Sequence, residues 1–289
     1  MFLHRWLDGL YGDHQGYAYD IVTDYDLHRD PGLLEGYKTV ILNGHSEYWS
    51  AEAYEGLDRY LSRGGTVAAL SGNNMVWRTS FSEDGSVMEC RKFDPRWGGR
   101  GGANIGELYH CHDKGRGSLM REAGYPAWKV IGLETCGWAG VDGVYHTDLP
   151  DHFLFTEPED AHLAKDETFG HARDQQFPMA IAHEWDMRLS TLAKITRTVP
   201  EGAVLPEEPE GITTLARGKR QGGASYDYFT QNATTADGTC AEMIYWQRPN
   251  GGRVFHAGAI GAGWALSADP KWRTVMRNVL HHFGVEAKG

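Results

Sequence analysis

The sequence has few cysteines and no excess of positive charge. Its 289 residues include four cysteines, none of them paired as C-x-x-C, so neither a zinc cage nor a disulfide framework is indicated. Free thiols fit a reducing compartment. Lysine and arginine number 28 against 39 aspartates and glutamates, a formal charge of -11. Nucleic acids and anionic membranes select basic surfaces, so this charge argues against both as partners.

Long hydrophobic runs are also missing. No stretch reaches the roughly 18 uninterrupted apolar residues that a membrane-spanning helix needs, and the opening "MFLHRWLDG" lacks the basic flank and apolar region of a signal peptide. We therefore expect a soluble, cytoplasmic protein. Aromatic residues make up 12% of the chain, with ten tryptophans. That richness suits an enzyme with a pocket, although an aromatic core would give the same composition.

The N-terminal third predicts alternating helices and strands. "FLHRWLDGLY" has helical spacing, while "YAYDIVTD", "KTVILNG" and "TVAALSGNN" have the composition of strands. A helix is predicted from a Ser50 cap to the stop at Gly64. This order predicts an α/β fold with a doubly wound, mostly parallel sheet. The apolar "KTVILNG" strand should then be covered on both faces.

The rest of the chain is predicted to complete a single domain over residues 1–289. Residues of about 83–175 are rich in glycine, with short β-like pieces such as "SVMECRKF" and "AWKVIGLE", and predict an irregular insertion. "QFPMAIAHEWD" predicts a strand, and "TVPEGAVLPEEPEG" a surface loop. The chain should close with a β-hairpin, "AEMIYWQRP" with "RVFHAGAIGAGWAL", and a helix capped by Asp269.

The stretch "NGHSEYWS" places His45, Glu47 and Tyr48 directly after a predicted strand. Ligands of open α/β sheets bind outside the carboxyl ends of the strands, so some of these side chains should face a binding crevice. Ordinary solvent-facing loop residues would give the same pattern, and the residues alone leave the two interpretations balanced. "HCHD", residues 110–113, is a second possible metal site, but an isolated H-x-H in a loop is more often incidental.

A longer motif resembles a known family. "VILNGHSEYWSAEAYEGLDRYLSRGGTVAALSGNNMVWR" is similar to the C-terminal domain of the N,N-dimethylformamidase large (β) subunit, and "PNGGRVFHAGAIGAGWAL" with "RNVLHHFG" resembles that domain's closing hairpin and helix. The resemblance implies a class I glutamine amidotransferase-like scaffold. It also implies an amidohydrolase that converts small N-substituted amides, such as N,N-dimethylformamide, to formate and dimethylamine. The implied cofactor is one iron, as Fe3+, held by tyrosine phenolates and a glutamate.

The resemblance assigns roles to individual residues. Glu47 would be the iron-ligating carboxylate, His45 its catalytic neighbour, and Glu184 in "AHEWD" the second active-site glutamate, matched by chain order. The family's ligand tyrosines lie upstream of the motif, and no phenol before it in this chain matches them, which makes Tyr48 the substitute metal ligand. The resemblance therefore implies that this chain lacks an upstream segment of the large subunit. It also implies an oligomer, which would include a small subunit.

Two functional hypotheses from different classes remain. The first is an iron-dependent amidohydrolase, or its catalytic portion. The second is a glutamine amidotransferase-like module without catalysis, used for binding or assembly, that has lost its metal site. Glutamine hydrolysis itself is disfavoured, because no glycine-flanked cysteine follows the third predicted strand as a thiol nucleophile would.

Overall fold

The computed structural model describes residues 1–92, 105–138, 143–171, 179–219, 224–229, 233–234 and 239–289. Its helices are α1 Phe2–Leu7, α2 Asp24–Arg29, α3 Ala51–Ser62, α4 Ala127–Ile131, α5 Phe153–Thr156, α6 Leu189–Ile195, α7 Ala262–Ala265 and α8 Pro270–His282. Its strands are β1 Thr39–His45, β2 Tyr48–Ser50, β3 Thr66–Gly72, β4 Trp77–Phe81, β5 Met88–Cys90, β6 Glu134–Trp138, β7 Val144–Thr147, β8 Thr168–Phe169, β9 Glu184–Met187, β10 Ile212–Lys219, β11 Ala224–Tyr226, β12 Ala233–Thr234, β13 Thr239–Gln247 and β14 Arg253–His256.

The main sheet is mixed and not mostly parallel. Among the described strands, seven pair in the order β1-β3-β14-β13-β10-β7-β8. The β1–β3 and β3–β14 pairs are parallel, and the other four are antiparallel. The predicted α/β class is confirmed, but the prediction of a mostly parallel sheet is wrong, because two of the six described pairs are parallel. The reason is that β13 and β14 are joined by a tight turn, which permits only antiparallel pairing, whereas parallel neighbours need a long crossover.

Strand β3 lies at the centre of the core. All seven of its residues are buried, and its side chains alternate between two apolar clusters: Ala68 and Leu70 belong to one, and Val67 and Ala69 to the other. A strand covered on both faces needs an apolar run such as "TVAAL". Strand β1 was expected to be covered in the same way, but among the described strands it lies at one edge of the sheet and is only half-buried.

The predicted strand "YAYDIVTD" is absent. Residues 17–23 run without regular structure, and Asp24 begins α2 instead. Thr23 explains why a helix begins here. Its side chain accepts a hydrogen bond from the Asp26 amide, and the Asp26 side chain accepts one from the Thr23 amide, which together form a capping box. The segment and β1 border a groove of about 550 Å³, which reaches from α1 to His45.

Several other elements follow the sequence. Ser50 caps α3 by accepting a hydrogen bond from the amide of Ala53, and Asp269 caps α8 in the same manner. The β13–β14 hairpin is present, and the predicted surface loop at residues 198–211 carries no regular element.

Other local predictions were wrong. "AWKVIGLE" begins with α4 where a β-like piece was expected, and β9 begins only at Glu184, where the predicted "QFPMAIAHEWD" strand was ending. Part of that stretch, within residues 172–178, lies outside the described residues. The segment expected to be an irregular insertion, about 83–175, supplies β7 and β8 to the main sheet, and its β6 pairs with β9. Within the described part of the chain, no helix is both long and apolar enough to cross a bilayer.

Gly72, the last residue of β3, tests how tightly the end of the sheet is packed. A Cβ at this position would lie 2.7 Å from the amide nitrogen of Ile260 and 2.8 Å from the carbonyl oxygen of Glu184, two backbone atoms that hydrogen-bond each other at 3.2 Å. We expect Gly72→Ala to destabilise the protein by about 1–3 kcal/mol, the usual cost of overpacking, and to lower the melting temperature. Gly36→Ala is the control, because a Cβ there meets nothing within 4 Å. Equal melting temperatures for the two variants would contradict this account.

Candidate active site

Three of the four predicted site residues meet around one imidazole ring. His45 is the last residue of β1, Glu47 lies in the turn before β2, and Glu184 opens β9. The Nε2 atom of His45 is 3.2 Å from Glu47 Oε2 and 3.0 Å from Glu184 Oε2. The structure thus brings together two carboxylates that are far apart in sequence, at the carboxyl end of the parallel strands.

The turn that carries Glu47 is fixed by its backbone. The carbonyl of Glu47 accepts hydrogen bonds from the amides of Val76 and Trp77 at 2.8 and 3.0 Å, and that of Ser46 accepts one from Met75 at 2.8 Å. These bonds join the "NGHSEYWS" turn to the turn that follows β3. Strands β2 and β4 then continue the contact as a parallel pair. The two turns of the resemblance motif therefore form one surface.

The imidazole of His45 carries a positive charge across the neutral pH range. Hydrogen bonds to Glu184 and Glu47 raise the pKa of His45 to about 10, from an ordinary value of 6.5. Burial alone would raise the pKa of Glu47, but hydrogen bonds from His45 and Tyr48 and the charge of Lys92 outweigh burial and lower it. An imidazolium between two carboxylates is poised to give up a proton to a basic atom of a ligand.

Tyr48 lies on the other side of Glu47, with Lys92 against both. The Lys92 ammonium contacts the Tyr48 hydroxyl and is 3.5 Å from Glu47 Oε1. Burial and the hydrogen bond to Glu47 raise the pKa of Tyr48 despite Lys92. A carboxylate and a phenol side by side are hard oxygen donors of the kind that a hard metal ion prefers, and the Lys92 ammonium that contacts them would have to move away for a metal cation to bind. These two residues supply two ligands and do not complete a metal site by themselves. Within the described ranges, no group of three or more His, Cys, Asp or Glu side chains could hold a metal.

The tyrosines that precede the motif make contacts elsewhere. Tyr17 packs against Trp6, Tyr19 donates a hydrogen bond to Asp8, and the Tyr25 ring lies against Phe81. Tyr11 lies beneath the guanidinium groups of Arg5 and Arg273. These contacts hold the four phenols in the N-terminal part of the fold and in the packing around it.

The "HCHD" stretch forms a structural ion pair. His110 is buried, with Nδ1 3.3 Å from an Arg78 guanidinium nitrogen, and Arg78 also pairs with Asp113. Burial, followed by the charge of Arg78, lowers the pKa of His110. A guanidinium among these side chains opposes a metal cation there, which agrees with the incidental interpretation.

A buried polar layer below the three residues was missed from the sequence. Asn73 lies 3.0 Å from His45 Nε2, and Asn74, Asp186 and His256 lie behind it, each of them 5% exposed or less. Two signals were available: the "GNN" turn after a buried strand, and an aspartate two residues after Glu184. Residues i and i+2 of a strand share a face, so Asp186 follows Glu184 toward the same site.

The chain matches a family model described as N,N-dimethylformamidase beta subunit-like, C-terminal, over residues 1–275. It is 30% identical over 156 residues to an N,N-dimethylformamidase beta subunit of Alcaligenes sp, and 29% identical over 155 residues to one of Paracoccus aminophilus. Each match covers 52% of this chain and 19% of the relative. The matched part is thus about a fifth of those longer subunits.

The pKa of His45 provides a test of the geometry. Replacing Glu184 with Gln removes the first of the two carboxylates that hydrogen-bond His45, so we expect Glu184→Gln to lower the pKa of His45, as measured by an NMR titration of the imidazole. Glu52→Gln is the matched control, because Glu52 lies 3.2 Å from a different imidazole, that of His28. A His45 titration unchanged by Glu184→Gln would contradict the arrangement.

The same pKa predicts a pH dependence of stability. Because folding raises the pKa of His45 from 6.5 to about 10, its contribution is complete below pH 6.5 and is lost as the pH rises through about 10. The difference in unfolding free energy between the wild type and His45→Gln should therefore shrink over this window in urea denaturation. A constant difference would mean that His45 is not held as an imidazolium.

Proposed function

Because the chain belongs to the N,N-dimethylformamidase beta subunit-like, C-terminal family, we propose that it carries the acid–base groups of an amidohydrolase. The substrate class is small N-substituted amides such as N,N-dimethylformamide, and the products are formate and dimethylamine. The observation that supports this most directly is the imidazole of His45 held between two carboxylates at 3.2 and 3.0 Å. We propose the glutamine amidotransferase-like scaffold on the resemblance of the motifs alone.

The groove beside β1 supports an uncharged substrate. It reaches His45, and its lining is more apolar than polar, with Val40, Leu42 and Trp49 on β1 and β2 and the charged side chains of Asp20, Asp24 and Lys38 elsewhere. A compact tertiary amide can desolvate against the apolar part of this surface. Trp77 does not line this groove and lies beneath the Lys92 ammonium, which is 5.2 Å from the ring centre.

We further propose that iron binds at Glu47 and Tyr48. When bound there as Fe3+, it would polarise the amide carbonyl and acidify the attacking water. The remaining ligands are proposed to be phenolates of an upstream large-subunit segment, following the family resemblance. Both relatives are named as subunits, so the proposal includes an oligomer, with a small subunit among its partners.

The side chains of this chain move the protons. As water adds to the amide carbon, the Glu184 carboxylate accepts one of its protons. When the carbon–nitrogen bond breaks, the electron pair stays on nitrogen, and the His45 imidazolium protonates it, so that dimethylamine leaves. The formic acid that results retains the oxygen of water and gives its remaining proton to the solvent, so it leaves as formate. Proton transfer from Glu184 back to His45, across 3.0 Å, restores both groups for the next cycle.

Substitution of the two carboxylates should separate metal binding from turnover. We expect Glu47→Gln to lose iron while the fold persists. Glu184→Gln should keep iron and lose turnover by about 10²–10⁴-fold, the usual contribution of a general base. Iron content is measured by metal analysis and by the visible phenolate-to-iron band, and turnover by dimethylamine release. Glu52→Gln, which alters a carboxylate outside the site, should preserve both.

Two outcomes would count against the proposal. Iron content unchanged in Glu47→Gln would remove the ligand role of Glu47, and parental turnover in Glu184→Gln would make Glu184 structural. A folded wild-type protein that neither binds iron nor releases dimethylamine, even with its partner segments present, would favour the binding or assembly module instead.

A further inference from the structure

Asp186 accepts hydrogen bonds on both of its carboxylate oxygens. Its side chain is fully buried on β9, two residues beyond Glu184. Its Oδ1 accepts hydrogen bonds from the Asn73 amide and the Thr135 hydroxyl, both at 2.8 Å, and its Oδ2 accepts one from Asn74 Nδ2 at 2.6 Å. Three donors on a buried carboxylate stabilise it strongly, so this arrangement is rigid.

The orientation of Asn74 is fixed by its neighbours. Its Oδ1 accepts a hydrogen bond from Ser71 at 2.7 Å, so its Nδ2 faces Asp186 and also His256 Nε2, at 3.1 Å. The other nitrogen of His256 lies 3.2 Å from the carbonyl oxygen of Ile131, to which it can donate. Asn74 and His256 thus have partners for the polar atoms of their side chains.

The Asn73 backbone is in the left-handed conformation. Its φ is +55°, in the left-handed region that L-residues other than asparagine, aspartate and glycine rarely adopt. The hydrogen bond from its amide to Asp186 secures this conformation. As a result the Asn73 side chain points out of the layer, and its Nδ2 lies 3.0 Å from His45 Nε2.

We infer that Asp186 is a positioning residue for His45, acting through the Asn73–Asn74 turn. By fixing the turn, Asp186 holds the Asn73 amide against His45, and that contact keeps the ring between Glu47 and Glu184. An amide suits this place because it carries both a donor and an acceptor and can present either one to the ring nitrogen. The expected effect on kcat rests on the proposed function, whereas the expected effect on the position of the His45 ring does not.

Asp186→Asn is the first test. The variant has nearly the same shape, but one carboxylate oxygen that accepts hydrogen bonds becomes an NH2 group. This group then faces a donor of Asn73, Thr135 or Asn74, and that hydrogen bond is lost. We expect the Asn73–His45 contact, 3.0 Å in the wild type, to open in a crystal structure of the variant. With N,N-dimethylformamide we expect kcat to fall about 10–100-fold, as for other outer partners of active-site groups, with KM near that of the wild type.

Asp227→Asn is the matched control. Asp227 is 1% exposed and also accepts three hydrogen bonds, from the amides of Arg197, Thr198 and Phe229, none of them in the site. The Asp227→Asn variant should lose stability as Asp186→Asn does, yet retain the Asn73–His45 contact and the wild-type kcat. If Asp186→Asn also loses only stability and keeps both, Asp186 is structural and the inference is wrong.

Asn73→Gly covers the case in which Asp186→Asn fails to fold. Glycine adopts the same backbone conformation without strain and removes only the amide. We expect it to free the His45 ring and to lower kcat as much as Asp186→Asn, and the double variant to be no slower than the slower single variant. If the losses of kcat in the two single variants add up in the double variant, the inference is wrong. It is also wrong if Asn73→Gly leaves the His45 ring in place and kcat at the wild-type value. If the wild type does not hydrolyse the amide, the proposed function fails, and the ring position in the two variants still decides the inference.

Discussion

The close approach of backbone at the end of β3 is the constraint on which the rest of the site depends. Gly72 leaves room for the Glu184 carbonyl and the Ile260 amide to bond directly above it. Strand β9 belongs to a different sheet, and this contact brings its first residue over the main one. Since β1 and β3 are parallel and in register from Thr39 to His45, His45 ends level with Gly72. A glutamate from a distant segment therefore reaches a histidine on an edge strand.

The electrostatics of the site follow from that meeting. A histidine with one carboxylate neighbour would have a modestly raised pKa, but here two carboxylates share one ring nitrogen. The pKa of about 10 reflects both of them, and the partial burial of His45 opposes it. The cost of bringing Glu47 and Glu184 together is offset because each lies next to a cation: His45 for both, and Lys92 for Glu47 as well.

The sequence predicted those features that depend on local chemistry. Strand β3, helix α3 with its Ser50 cap and the closing hairpin each have a periodicity or a turn that specifies them. The "YAYDIVTD" strand failed because composition cannot show whether a pairing partner is available, whereas the Thr23 capping box was a local signal for the helix that follows.

Tertiary placement explains the other differences. The pairing of β1 and β3 was foreseeable, but not that β1 would be the edge strand. For the site, the motif supplied His45, Glu47 and Tyr48, and chain order supplied Glu184. Asp186 was missed because its hydrogen-bond partners, Asn73 and Thr135, are 113 and 51 residues away in sequence. Only the fold brings these residues into contact.

The net charge of the site affects how readily a charged product is released. Three carboxylates, of Glu47, Glu184 and Asp186, face two cations, His45 and Lys92, which leaves one negative charge in excess. Carboxylates in a site of low polarity repel an anion over several ångströms. In the proposed reaction the substrate is neutral and one product, formate, is an anion, so the excess charge disfavours retention of the product more than binding of the substrate. A metal ion bound at Glu47 and Tyr48 would reverse this balance, because it adds positive charge beside the same carboxylates.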